Sequence, residues 1–310
     1  MVHAHFLAKY SIVVLILCNA LGIYANSNQL TDLSQFYIDF DESMIHGFTE
    51  TEYKQLLLEK PQSSFIPLLK QMYQYSNFLT RHLERNKRLG IPRIIHQIWL
   101  GSKLPDQYKK FQRSWKKLHP DWEYRLWTDD DVESFGLVNK EAFDKARNYG
   151  EKANIFRYEI LFRYGGLYID TDFECLKSFE ILNQQYEFYT GLVTLNRKTL
   201  INNGLIGSVP QHPILKACID NIKNKKVFGN GRGQFNKNGT IFFGYTVIET
   251  CQNKQLDVSK IFIAPPTYFY PWPGPEYKKP LNEYILDSSF AIHYWDCSWS
   301  RYSKKKMLQD

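Results

Sequence analysis

The sequence has few sulfur-containing residues and lacks the Cys and His spacings that are typical of zinc fingers. It holds 5 Cys and 4 Met among 310 residues, with no Cys-x-x-Cys pair and no Cys/His ligand spacing, which argues against a structural zinc site. The sequence has no internal repeat and no low-complexity segment, which excludes repeat arrays and linker-like chains. Because 44% of the residues are hydrophobic and 16% aromatic, the chain is neither disordered nor collagen-like.

The charge is only moderately biased. Lys plus Arg exceed Asp plus Glu by 39 − 32 = 7, which suits phosphate-bearing ligands or an anionic surface as well as ordinary solubility. The basic residues are scattered, apart from three consecutive lysines at 304–306. The sequence therefore lacks the basic patch typical of nucleic-acid binding, and we expect no nucleic-acid partner.

An apolar run occupies residues 11–25, which is shorter than the roughly 20 residues that span a bilayer comfortably. The run matches the apolar core of a signal peptide, with Ala25 at the cleavage point. A short uncleaved signal anchor is the first alternative, and a buried N-terminal helix is the second. The leader or anchor at residues 1–25 predicts a secretory-pathway protein, either in the Golgi or ER lumen (type II membrane or soluble) or secreted, with membrane association through this segment if it is retained.

Beyond the leader, the sequence contains four cysteines and one glycosylation triplet. The four cysteines allow three disulfide pairings, which the sequence leaves open. They are Cys175, Cys218, Cys251 and Cys297. The triplet Asn238-Gly239-Thr240 is an N-glycosylation sequon, a pattern that is common by chance.

The pattern of apolar residues changes near residue 90. Residues 26–90 predict a helical extension, with helices over 52–60 and 65–88, and a Gly-Ile-Pro triplet closes it. From residue 91 to 310, strands and helices alternate, which predicts an α/β domain with a largely parallel sheet. The elements expected there are a strand over 93–100, a basic amphipathic helix over 106–119, a strand over 124–127, and helices over 129–135 and 140–149.

The most informative segment is a helix, a double glycine, a strand and two aspartates, over residues 151–172. Gly165-Gly166 predicts a tight helix-to-strand turn, and residues 167–169 form a short apolar strand. Asp170 and Asp172 follow at its carboxyl end, where α/β sheets bind ligands, and strand alternation points both the same way. Two carboxylates held together favour a Mg²⁺ or Mn²⁺ shared with substrate phosphates. The alternative is an ordinary polar turn.

Asn154 and Arg157 lie three residues apart, hence on one face of the preceding helix. Arg157 is a charge among apolar neighbours and needs a partner. Asp170 is the expected one, either as a structural ion pair or within a ligand site.

Four segments together resemble the glycosyltransferases of family 32, whose sugar-binding region contains a DXD motif. They are residues 91–101, 153–172, 203–213 and 291–299. This family includes fungal initiating α-1,6-mannosyltransferases and animal α-1,4-galactosyltransferases, and it is more distantly similar to glucosylating bacterial cytotoxins. The resemblance implies a GT-A type, Rossmann-like nucleotide-sugar-binding fold for residues 91–310. It also implies a metal-dependent, retaining transfer of a hexose from a UDP- or GDP-sugar, with Mn²⁺ or Mg²⁺, to a glycan, glycolipid or protein acceptor.

The resemblance assigns roles to individual residues. Asp172 becomes a direct metal ligand, Asp170 faces ribose, sugar and metal-bound water, and Arg157 holds donor-sugar hydroxyls. Asn154 stands where many relatives carry Asp, so its part in donor binding differs in charge. The remaining assignments are Trp99 at the nucleotide base or in the core, His293 as a metal ligand or core histidine, Ser298 and Trp299 over the diphosphate, Asn203 and Gly204 on the acceptor side, and His96 in the core.

Three other functions compete with this interpretation. A catalytically inactive nucleotide-sugar or glycan-binding module would be expected to lose the metal ligands, and both aspartates are present. An exported toxin-like transferase acting on a host protein would share the donor chemistry. A phosphohydrolase with an aspartyl nucleophile would carry Thr or Val where this chain has Glu174, and would place the motif at its first strand.

Overall fold

The computed structural model describes residues 36–46, 54, 65–82, 90–195, 198–228, 237–253, 256–274 and 280–296. The leader expected at 1–25, and the expected helix at 52–60 apart from residue 54, lie outside these ranges, as do Cys297, Ser298 and Trp299. Within these ranges, no helix combines the length and the apolar character needed to cross a membrane.

Nine helices occur along the described residues, two before the first strand and seven between the first strand and residue 253. They are α1 (Phe40–His46), α2 (Ile66–His82), α3 (Lys109–Leu118), α4 (Asp129–Phe135), α5 (Lys140–Asp144), α6 (Tyr149–Tyr164), α7 (Glu180–Gln185), α8 (Pro213–Lys223) and α9 (Thr240–Asn253). Short 3₁₀ turns occupy Asp106–Tyr108, Val258–Lys260, Pro266–Tyr268 and Leu281–Glu283.

The strands form a central sheet and a small accessory sheet. They are β1 (Ile94–Ile98), β2 (Glu123–Trp127), β3 (Gly166–Ile169), β4 (Phe173–Cys175), β5 (Phe188–Leu195), β6 (Lys198–Ser208), β7 (Ile261–Ala264) and β8 (Ala291–His293). The six-stranded sheet has the order β2-β1-β3-β6-β5-β7, and β4 pairs antiparallel with β8. This second pairing sets His293 opposite Phe173, directly after the two aspartates.

The central sheet is mixed, whereas the sequence predicts a largely parallel one. β1 pairs parallel with β2 and β3, and β5 pairs parallel with β7, but β6 pairs antiparallel with both β3 and β5. The reason is that β5 and β6 form a hairpin, which inserts a reversed strand next to β3. The predicted α/β class is confirmed, and the largely parallel sheet is wrong.

The expected elements between residues 91 and 164 are present; the helix at 129–135 has its predicted bounds, and several others have shifted ends. The basic helix forms as the 3₁₀ turn at 106–108 followed by α3, and the strand at 123–127 is one residue longer than expected. The single helix expected over 140–149 ends at Asp144, because Asn148 begins α6 instead: its side chain accepts a hydrogen bond from the backbone N–H of Glu151 at 2.9 Å.

The two described helices of the 26–90 extension pack on the same hydrophobic core as the sheet. Tyr73 on α2 is fully buried and donates to the carbonyl of Ile38 at 2.6 Å, while its ring lies 5.9 Å from that of Phe262 on β7. Ser43 on α1 lies 2.7 Å, oxygen to oxygen, from Thr267. These two helices therefore pack against β7 and the 3₁₀ turn at Pro266–Tyr268.

Candidate active site

A tight turn after α6 delivers the two aspartates. α6 ends at Tyr164, Gly165 caps it and β3 starts at Gly166, and the two glycines have φ angles of 63° and 95° that favour glycine. At Gly166 the close approach of β1 also requires glycine, since a Cβ there would lie 2.6 Å from the carbonyl oxygen of Ile94. β3 is completely buried and ends at Ile169, which places Asp170 and Asp172 in the turn that follows. Their carboxylates converge through this turn, and not through strand alternation as the sequence predicts.

Asp172 is 8% exposed, and its carboxylate is bound on both oxygens by the C-terminal part of the chain. Its Oδ1 lies 3.0 Å from Nε2 of His293, and its Oδ2 accepts the backbone N–H of Asp296 at 2.8 Å. Although burial alone disfavours the charged form, His293 and this N–H together lower the pKa of Asp172 below its ordinary value. Asp172 is therefore held as a carboxylate.

Asp170 is paired with Arg157, as the sequence predicts. Oδ1 of Asp170 lies 3.2 Å from the guanidinium of Arg157 and accepts the hydroxyl of Tyr168 at 2.8 Å. Arg157 is 4% exposed, and it also donates to the carbonyl of Asn203 at 2.6 Å. Burial raises the pKa of Asp170, and Arg157 opposes that effect only in part. The ion pair alone thus leaves the Asp170 carboxylate incompletely stabilised.

Asp170, Asp172 and His293 form a cluster of metal-ligating groups. One ligand atom from each lies within 4.8 Å of the others. His293 contacts Asp172 through Nε2, and its buried Nδ1 has no hydrogen-bond partner within the described residues. Two carboxylates and an imidazole are a donor set suited to a divalent cation such as Mn²⁺. These residues fit the metal that the sequence predicts.

The predicted donor-sugar and acceptor residues lie together on one side of this cluster. Asn154 and Arg157 share a face of α6, as expected, and both contact Asn203 on β6. Gly204 follows, and a Cβ at that position would lie 2.8 Å from Oδ2 of Asp170. The structure thus brings Asn203 and Gly204 against the residues expected to hold the donor sugar.

Trp99 lies at the end of β1, outside the main core, in a small cluster with Tyr108 and Phe111. It is half-buried; its ring lies 5.1 Å from that of Tyr108, and its indole N–H donates to Ser102 at 3.1 Å. His96 is a core residue as predicted, with 1% exposure. The predicted roles of Ser298 and Trp299 fall outside the described residues.

Sequence reasoning missed several residues that hold the site in place. The side chain of Gln97, fully buried on β1, donates to the backbone carbonyl of Asp170 at 3.3 Å. Asp296 accepts hydrogen bonds from Gln107 at 3.0 Å and from the hydroxyl of Tyr108, so it ties the C-terminal segment to the Trp99 cluster. In the sequence, the only indication of Asp296 was its place within residues 291–299, one of the four segments that resemble the family.

Three of the four cysteines beyond the leader, and the asparagine of the sequon, lie in the described part of the fold. Cys175, Cys218 and Cys251 are free thiols, and burial raises the pKa of each. Asn238, the asparagine of the sequon, is 7% exposed and hydrogen-bonds to Asn154. In the folded chain this amide is engaged inside the protein and does not face solvent.

Comparison with known proteins agrees with this geometry. A family model described as the glycosyltransferase sugar-binding region containing a DXD motif matches residues 105–189. An uncharacterized glycosyltransferase of Acanthamoeba polyphaga mimivirus is 31% identical over 180 residues, which cover 55% of this chain and 70% of that protein. The chain belongs to this DXD glycosyltransferase family. The central sheet and the helices around it in the chain confirm the predicted α/β fold class.

Other members of the family are aligned over shorter shares. Inositol phosphoceramide mannosyltransferase 2 of Schizosaccharomyces pombe is 36% identical over 143 residues, 44% of this chain and 40% of that protein. The chain thus spans about two fifths of the length of that curated relative. Among solved structures, the PaToxG glycosyltransferase superposes with a TM-score of 0.42 at 16% identity, covering 62% of this chain and 78% of that one.

Proposed function

We propose that this chain is a metal-dependent, retaining hexosyltransferase that uses a nucleoside diphosphate sugar as donor. The observation that carries the proposal is the convergence of Asp170, Asp172 and His293 beside the buried Arg157. A divalent cation bound by Asp170, Asp172 and His293 would neutralise the charge that develops on the leaving diphosphate. Manganese is the favoured ion, because the donor set mixes carboxylates with an imidazole.

The chain's own residues orient the reactants. His293 and the N–H of Asp296 hold the Asp172 carboxylate in one orientation, so this ligand is positioned before any substrate arrives. Arg157 is fixed by Asp170 and by the carbonyls of Asn203 and Ala153, and the N–H groups of its Nη2 are donors suited to hydroxyls of the hexose. The acceptor hydroxyl would attack from the face that the leaving diphosphate vacates, and a phosphate oxygen would take its proton.

For the transferred sugar we propose mannose, and for the acceptor a lipid that carries an inositol phosphate headgroup. The support is the similarity to inositol phosphoceramide mannosyltransferase 2 and to the mannosyl phosphorylinositol ceramide synthase CSH1 of Saccharomyces cerevisiae, 36% identical over 140 residues. A basic helix lies near the site: α3 carries five Lys and Arg residues and no acidic one, and Nζ of its Lys110 lies 5.6 Å from the ring centre of Tyr294, the residue after His293. Such a helix attracts an anionic headgroup. The expected location is the Golgi part of the secretory pathway.

The test is nucleotide release by the full chain from a panel of UDP- and GDP-hexoses, with Mn²⁺, with Mg²⁺ and with chelator. We expect metal-dependent release from GDP-mannose, stimulated by inositol phosphoceramide and not by ceramide. Asp172→Ala should lose at least about a hundredfold of this rate, since transition-state charge stabilisation of this kind contributes two to three orders of magnitude. Asp144→Ala, at an exposed ion pair on α5, is the matched control.

Each outcome has a distinct meaning. Release from another hexose donor, or stimulation by lactosylceramide, would support the transferase activity and show that the proposed sugar or acceptor is wrong. Metal-dependent nucleotide binding without turnover of any donor would identify an inactive binding module. Equal rates for Asp172→Ala and wild type would refute the proposed site.

A further inference from the structure

Three asparagines from separate elements form a hydrogen-bonded row beside Arg157. Asn154 lies on α6, Asn203 on β6, and Asn238 two residues before the start of α9. Asn203 and Asn238 are 5% and 7% exposed, and Asn154 is half-buried. Two buried amides therefore orient a third, that of Asn154, which is partly exposed.

The orientation of the Asn203 amide follows from its partners. The hydroxyl of Tyr158 has a single hydrogen, which it donates to the backbone carbonyl of Asn238 at 2.9 Å. Its oxygen must then accept from Nδ2 of Asn203 at 2.8 Å, and Thr240 donates to Oδ1 of Asn203 at 3.3 Å. Nδ2 of Asn203 is thereby fixed on the side of α6.

The orientation of Asn154 follows in turn. Its Oδ1 accepts from Nδ2 of Asn203 at 3.0 Å, so its own Nδ2 faces Oδ1 of Asn238 at 3.4 Å. Asn238 cannot present its other end, because its Nδ2 lies 3.4 Å from the carbonyl oxygen of Glu151, which only accepts. Asn154 thus has a fixed amide, and its second N–H, which has no hydrogen-bond partner among the described residues, is available to a ligand.

An aspartate at position 154 conflicts with this arrangement. One carboxylate oxygen would take the place of Nδ2 and oppose Oδ1 of Asn238, which sets two acceptors against each other. Rotation of the Asn238 amide would relieve that contact only by turning its Oδ1 toward the carbonyl of Glu151. The amides at positions 154 and 238 are therefore a matched pair.

We propose that Asn238 is a positioning residue that acts through Asn154 and sets the polarity of the donor-sugar subsite. It holds the Asn154 amide with one N–H toward the hexose, so that the hydroxyl facing residue 154 accepts a hydrogen bond. This inference rests on the proposed function, which places Arg157 at the donor sugar; Asn154 shares with Arg157 its contact to Asn203 and is the donor-binding residue that the family resemblance implies. Its specific consequence is that removing the Asn238 side chain has opposite effects in the wild type and in the Asn154→Asp variant.

The test is a double-mutant cycle on kcat/KM for the sugar nucleotide that the full chain turns over fastest. Asn238→Ala should lower kcat/KM about three- to tenfold in the wild-type background, the range expected for one neutral hydrogen bond. In the Asn154→Asp background it should raise kcat/KM, because it removes the opposed acceptor. Asn238→Ser is measured alongside in case the alanine variant does not fold.

Two further measurements separate positioning from general destabilisation. Affinity for the matching nucleoside diphosphate with Mn²⁺ should stay within about twofold in all Asn238 variants, since that ligand has no hexose to form the neutral hydrogen bond in question. Asn221→Ala on α8, which removes a 3.3 Å contact with Thr246, should act equally in both backgrounds. Losses of the same sign in both backgrounds would overturn the inference and leave the transferase intact, whereas a wild type that turns over no sugar nucleotide would overturn both.

Discussion

His96 provides a quantitative test of the core beneath the site. This residue on β1 is 1% exposed; its Nδ1 lies 3.1 Å from the indole nitrogen of Trp127, and its Nε2 lies 2.9 Å from the carbonyl oxygen of Gly165. Indole only donates and a carbonyl only accepts, so Nδ1 must accept and Nε2 must carry the hydrogen. A second proton, on Nδ1, would face the N–H of Trp127 and break this contact.

The magnitude follows from the pKa of this imidazole. Burial lowers the pKa of His96 from 6.5 to about 4, despite the opposing hydrogen bond to Gly165. Because the folded state disfavours the proton, the stability that neutral His96 contributes is complete above pH 6.5 and is lost as the pH falls toward 4. The difference between the two pKa values corresponds to about 3 kcal/mol of unfolding free energy.

The assay compares urea unfolding of wild type and His96→Phe at pH 7, 5.5 and 4. The variant leaves the Gly165 carbonyl and the Trp127 N–H unpaired, so we expect it to be about 3 kcal/mol less stable at pH 7. Because phenylalanine does not titrate, this deficit should shrink to near zero at pH 4. Ile95→Ala on the same strand should be destabilised equally at every pH. A constant deficit for His96→Phe would refute the assigned tautomer and its role.

Two further variants test the turn and the ion pair. Arg157→Met should lower the unfolding free energy by about 3 kcal/mol at pH 7, because it leaves Asp170 without its charged partner. The control Arg93→Met, at an exposed pair with Glu180, should lower it by less than about 1 kcal/mol, and equal losses would contradict the buried pairing. Gly166→Ala should cost about 3 kcal/mol or more in the same urea assay, because a Cβ there meets the Ile94 carbonyl at positive φ, whereas Gly90→Ala, with no atom within 4 Å of the added Cβ, should unfold like wild type.

Local patterns predicted the part of the fold that carries the aspartates. The apolar run at β1, the amphipathic pattern of α3 and the double glycine after α6 each determine their element through nearby residues. The pairing of Arg157 with Asp170 was predictable because a charge among apolar side chains needs a partner. The mixed sheet was not, since the position of β6 between β3 and β5 depends on contacts between distant residues.

The missed site residues share one physical reason. Gln97, Asn238 and Asp296 are polar side chains whose partners lie far away in sequence, for example Asp170 for Gln97 and Asn154 for Asn238. A single sequence contains no signal for such contacts. Asn238 was visible only as part of a sequon, a pattern that points outward to a glycan, whereas the fold turns it inward to Asn154.

The two aspartates of the DXD motif differ in how well the fold stabilises their charged form. Asp172 is bound on both oxygens, by His293 and by the N–H of Asp296, and its pKa is lowered, so the fold itself maintains this carboxylate. Asp170 has Arg157 and the Tyr168 hydroxyl, yet burial still raises its pKa. Additional positive charge beside Asp170 would remove the remaining cost of ionising it. A divalent cation held by these residues would supply that charge, so the fold positions Asp172 in advance and would leave Asp170 to be completed on binding.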